Sequence, residues 1–74
     1  MSFNYSKLKG KIIENYGTQA AFARGMNMSE RTLSLKLNNK IYFRQDEIIK
    51  AASLLNIRAE EIREYFFIIK VQSD

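Results

Sequence analysis

Apolar side chains recur at steps of three and four through most of this chain, the spacing that lines one face of an α-helix. Tyr5, Leu8, Ile12 and Tyr16 form the first stripe, which predicts a helix capped by the Asn4 side chain and ended by Gly17, a residue suited to a left-handed terminus. Thr18 can accept from the free amides of a second helix over residues 19–25, barely two turns long, with Phe22 and Ala23 inward. Ser29 opens a third helix, anchored inward by Met28, Leu33 and Leu37 and running to Asn38 and Asn39, both tolerant of the left-handed conformation. Only Met26, Asn27 and Met28 separate these two helices, and Asn27 suits the tight turn between them.

A polar and aromatic loop, residues 40–44, follows, with Phe43 read as core. Ile48, Ala52 and Leu55 then mark a helix over residues 45–55, with Asp46 and Glu47 favouring its N-terminus and Asn56 ending it. A short final helix is predicted over residues 59–65, opened by Glu60 and Glu61 behind a poor cap, since Arg58 cannot accept. The run Phe66 to Val71 is aromatic and β-branched, so a short C-terminal strand is predicted there. An edge strand of that kind invites antiparallel pairing with a second copy, which makes residues 65–74 a candidate homodimerisation tail.

Composition narrows the chemistry. With 74 residues there is room for one domain, taken as residues 1–74. The chain has no Cys and no His, which excludes disulfides, thiolate chemistry and Ser-His or Cys-His nucleophiles, and leaves zinc without its usual ligands. Glu60 and Glu61 occupy consecutive helical positions and do not face each other, and no glycine-rich phosphate loop is present. The expectation is a protein with no catalysis, metal, cofactor or small-molecule substrate. The N-terminal residues lack the apolar core of a signal peptide, and the longest apolar run, Tyr65 to Ile69, falls far short of the roughly 18 residues of a membrane span, so a cytoplasmic location in a bacterial host cell is expected.

Charge is unevenly distributed. Residues 1–44 carry eight basic and two acidic side chains, whereas residues 45–74 carry four and six. A basic first part points to a polyanion, nucleic acid being the commonest; a solvated surface without a partner is the plain alternative.

Two short helices, each opened by a hydroxyl cap and joined by three residues, make a helix-turn-helix over residues 18–38, whose second helix lies in the major groove in proteins that read DNA this way. The stretch from Gln19 to Asn38, "QAAFARGMNMSERTLSLKLN", extended by "NKIYFRQDEIIKAASLLNI" to Ile57, resembles the Cro and repressor type of helix-turn-helix regulators of bacteriophages and bacteria. Gln19, Ala23, Leu33 and the run Asn38, Asn39, Lys40 match that pattern. Asn27 and Asn39 stand where glycine is usual, and Arg44 where a Thr or Ser cap is usual, so Arg44 either weakens that helix start or serves a phosphate. The resemblance covers about three quarters of the chain and leaves out the part from about Ile62 on.

The resemblance implies an all-α, five-helix lambda-repressor-like domain that acts as a sequence-specific regulator, a repressor more than an activator, on double-stranded DNA. Candidate base-reading residues are Glu30, Arg31, Ser34 and Leu35. Arg31 can bond guanine O6 and N7, Glu30 a cytosine amino group, and Ser34 either base type. Leu35 lies about 200° and 160° around the helix from Leu33 and Leu37, so it should face out, towards a thymine methyl group or under the following loop. Each also has a plain reading as a surface residue, and Glu30 as a complement to the helix dipole or a tether for Arg31. Candidate backbone contacts are Thr18, Gln19, Ser29, Lys36, Asn38, Lys40, Tyr42 and Arg44. The leading alternative is an antirepressor that grips another regulator with the same fold. An RNA-binding module is weaker, because the sequence places no aromatic platform beside the basic face.

Overall fold

The computed structural model describes residues 2–71. Five α-helices follow in order: α1 Ser6–Tyr16, α2 Gln19–Gly25, α3 Glu30–Leu37, α4 Gln45–Leu54 and α5 Ile62–Phe66, the last entered through a single 3-10 turn at Ala59–Glu61. Among the described residues there is no strand, and no helix is long and apolar enough to cross a membrane.

The stripes converge as their spacing requires. Leu8 and Ile12 of α1, Phe22 and Ala23 of α2, Leu33 and Leu37 of α3, Ala51 and Ala52 of α4, and Tyr65 and Phe66 of α5 are all buried in one core. Tyr16 and Met28 pack partly buried against it, and Phe43 sits edge-on to both Tyr5 and Phe66. Thr18 and Ser29 cap as predicted, their hydroxyl oxygens accepting from the amides of Ala21 at 3.1 Å and Thr32 at 3.0 Å.

Three helices end in the same way. Asn27, Asn39 and Asn56 adopt φ of 59°, 61° and 56°, and after each the next residue's amide returns to a carbonyl five residues back. Met28 donates to Ala23, Lys40 to Leu35 and Ile57 to Ala52, at 3.0, 2.9 and 2.8 Å. This is the Schellman ending, which glycine usually fills and asparagine tolerates. Asn38 stays outside the left-handed region, with φ −98°.

Three helix starts differ from the pattern reading. Tyr5, not Asn4, stands at the N-cap of α1, while the Asn4 Oδ1 accepts from the Ser6 amide at 2.9 Å one step earlier. Arg44 and Arg58 are compensated from inside the helix: Glu47 and Glu61 reach back to accept the Arg44 and Arg58 amides at 2.9 and 3.1 Å.

The C-terminal strand shrinks to one bridge. Phe66 belongs to α5, and only Ile69 pairs, antiparallel to Phe3 of the same chain, flanked by bonds from the Asn4 amide to Ile68 and the Lys70 amide to Ser2 at 2.7 and 2.9 Å. The tail therefore has one backbone edge occupied by its own N-terminus. Of the candidate dimerisation tail, Tyr65 and Phe66 are buried in the core, and residues 72–74 lie outside the described residues.

Candidate functional site

The α2–α3 pair is built from short-range signals. Each helix has its hydroxyl cap, Asn27 turns the chain between them, and Phe22, Ala23, Met26 and Leu33 bury the contact. Helical arithmetic of about 100° per residue sets Arg31, Ser34, Leu35 and Asn38 within an arc of about 100° opposite Leu33. Arg31 and Asn38 are exposed, and Ser34 and Leu35 are half-buried. Asn38 folds back along this arc, its Nδ2 donating to the Ser34 carbonyl at 2.9 Å and hydroxyl at 3.2 Å. Glu30 is exposed at the first turn of α3 and complements its N-terminus. Among the described residues Glu30 makes no ion pair with Arg31, as expected for neighbours that do not share a face.

Leu35 is less exposed than its position predicts, and the following loop turns back to its backbone. Its carbonyl accepts from both Lys40, at 2.9 Å, and Ile41, at 3.4 Å.

Lys36 departs from the outward position assigned to it as a backbone contact. The residue is only 5% exposed. Its ammonium bonds the Glu47 Oε1 at 2.8 Å and the Tyr42 carbonyl at 3.1 Å, and lies 6.0 Å from the Phe43 ring centroid. It therefore cannot meet a phosphate. Lys36 stands about 60° from Leu33 on the helix, at the margin of the buried stripe, where a long methylene stem can lead a charge inward. A Glu three residues into the next helix was the one signal in the sequence for its partner.

The remaining flank is mixed. Lys40 is exposed, and among the described residues it makes no ion pair. Arg44 is tied to Asp46 at 3.0 Å, with both side chains about two thirds exposed. At the start of α2, Thr18 is exposed and Gln19 half-buried.

Aromatic surface adjoins this loop, which the sequence did not place. Phe3 stands 6.4 Å from Tyr42 and 6.0 Å from Phe67, ring centroid to ring centroid. With Phe43, Ile48 and Phe66 these residues line an open cavity of about 310 Å³. Tyr42 and Phe67 are 68% and 47% exposed, so the patch faces solvent.

Fold and surface together define a small all-α domain. The model of the family described as "Protein of unknown function (DUF739)" matches residues 1–68, and the chain belongs to that family. Among solved structures it is similar to the modulator of repression (MOR) of the temperate bacteriophage TP901-1 from Lactococcus lactis, known in solution, with 51% identity, a TM-score of 0.81 and 97% of each chain covered. No curated protein matches the chain.

Proposed function

We propose that this chain is a non-catalytic regulator of repression that binds double-stranded DNA through a helix-turn-helix formed by α2 and α3, as in the Cro and repressor type it resembles. The observation that carries this reading is the outward arc of exposed Arg31 and half-buried Ser34 and Leu35 on a helix whose N-terminus is capped and whose opposite face is locked in the core. Arg31 reads a guanine edge, Ser34 and Leu35 extend the contact along the groove, and Glu30 meets a cytosine amino group. Thr18, Gln19, Ser29, Asn38, Lys40, Tyr42 and Arg44 flank it as phosphate contacts, without Lys36. The name of the similar TP901-1 protein, modulator of repression, supports a role in repression. Two copies on half-sites about 34 Å apart complete the reading.

The test is selection from a random duplex library, read together with sedimentation of the protein alone and with the selected duplex. A recovered palindrome bound by two copies is the expected result. A pool that remains random counts against base reading.

A second reading, an antirepressor that grips another regulator, is favoured by the solvent-facing aromatic patch of Tyr42 and Phe67 beside α3. Exposed apolar patches of this kind mark protein contacts more than phosphate contacts. Affinity for DNA that follows salt but not sequence, with a tight complex to a purified repressor that Tyr42→Ala abolishes, selects this reading.

A further inference from the structure

The loop between α3 and α4 is held by directed bonds along its length, those of the Asn39 side chain to the Phe3 backbone among them. At its start, the Lys40 and Ile41 amides close on the Leu35 carbonyl. At its end, the Arg44 amide donates to Glu47 Oε1 at 2.9 Å. Between them, the Lys36 ammonium donates to the Tyr42 carbonyl, which has no other hydrogen-bond partner among the described residues. Phe43 also packs inward, but packing against Tyr5 and Phe66 is not directional in the way a hydrogen bond is.

Lys36 and the Glu47 carboxylate it pairs with are withdrawn from water, with side-chain exposures of 6% and 17%. Burying two charges costs desolvation that their attraction often fails to offset, so apolar replacement of both partners is commonly neutral or stabilising. A methionine at position 36 keeps most of the length and volume of lysine beside Phe43. Stability therefore gives no reason for the ammonium, whereas the Glu47 carboxylate also caps α4 through the Arg44 amide. Direction gives one, because an ammonium offers three donors and can grip Glu47 and the Tyr42 carbonyl at once, which no apolar side chain can do.

We propose that Lys36, seated on Glu47, is a positioning residue that fixes the 38–44 loop, so that Lys40 and Tyr42 stand in one arrangement beside the Arg31 arc. Its contribution is to the geometry of the loop and not to the stability of the fold. The consequence for DNA binding rests on the proposed function; the order of the loop does not.

The experiment uses the full chain as wild type, Lys36→Met, and the double variant Lys36→Met with Glu47→Gln, whose side-chain carbonyl still accepts the Arg44 amide, followed by thermal unfolding and by amide hydrogen exchange in NMR. The double variant is expected to melt near the wild-type midpoint, because neither buried charge remains and the cap of α4 is kept. Its Lys40 and Ile41 amides are nevertheless expected to exchange about tenfold faster relative to the Leu33 amide, because loop opening is uncoupled from global unfolding. Lys36→Met alone leaves Glu47 charged without a counter-ion, and is expected to lower the midpoint as well as loosen the loop. Loop amides in the double variant as protected as in wild type overturn the proposal, and so does a double variant that melts far below wild type. A wild-type protein with no duplex preference, together with a loosened loop in the double variant, overturns the DNA reading alone and supports the positioning role.

Discussion

The side-chain amide of Asn39 holds the backbone of Phe3 on both sides: its Oδ1 accepts from the Phe3 amide at 2.8 Å and its Nδ2 donates to the Phe3 carbonyl at 2.9 Å. Asn39 is at the same time the left-handed residue that ends α3. Phe3 in turn is bridged to Ile69. One side chain thus joins the end of the candidate recognition helix to both ends of the described chain.

Asn39→Gly and Asn27→Gly separate these roles. Glycine suits the left-handed backbone at both positions, but only at 39 does it delete two hydrogen bonds, each worth about 0.5–1.5 kcal/mol. Asn27→Gly is expected to be neutral within about 0.5 kcal/mol, and Asn39→Gly to cost about 1–2 kcal/mol, a fall of roughly 4–8 °C in Tm per kcal/mol for a domain of this size. Thermal melts of the two variants check this, and equal midpoints would remove the clamp from the energetics.

Arg31→Ala is expected to weaken binding to a selected duplex by about 1–3 kcal/mol and binding to random duplex by less. Fluorescence anisotropy on both duplexes is the measurement. The same loss on each would assign Arg31 to phosphate and not to a base.

Lys40→Ala should act evenly on selected and random DNA, and reduce the slope of log affinity against log salt by about 1. A salt titration that leaves the slope unchanged takes Lys40 off the DNA backbone.

Glu47 gives the fold an acid dependence. Burial pushes its carboxyl up, but the Lys36 ammonium and the Arg44 amide outweigh this and hold it below the ordinary carboxylate range. Because the folded value is depressed, the contribution is fully present above the unfolded value of about 4.3 and is lost as pH falls through the folded one. Tm measured from pH 7 downward should fall through that acid range, while Glu47→Gln starts lower at pH 7 and falls less. An identical acid limb in both proteins would exclude Glu47 as a source of the dependence. This loss follows from removing one charge of the pair; neutralising both partners is a different comparison.

Much of the helical framework was legible because its signals are local. The bounds of α2 follow from Thr18, the apolar pair Phe22 and Ala23, and Gly25, and the stops at Asn27, Asn39 and Asn56 need only a residue that tolerates positive φ. Arg31 is exposed opposite Leu33, as its spacing required. Lys36 was misplaced because a lysine at the margin of a stripe can point its charge either way, and its direction was decided by Glu47 and the Tyr42 carbonyl. The β-forming composition of residues 66–71 was read as a strand seeking a second copy. Phe66 instead extends α5, and the N-terminal residues meet the tail at Ile69. The aromatic patch at Tyr42 and Phe67 was equally invisible, since Phe3 brings the two together from distant parts of the chain.

By itself the sequence determined five helical segments, the hydroxyl caps of α2 and α3, the left-handed stops, and the inward stripes, because periodicity, hydroxyl caps and left-handed asparagines act within a few residues of one another. Only the tertiary structure decided that Lys36 turns inward, that Asn39 grips Phe3, and that the tail pairs with the N-terminus. Each of those contacts depends on a partner from another element of the fold, and a polar side chain of this kind takes its direction from whichever partner the packing brings within hydrogen-bond reach.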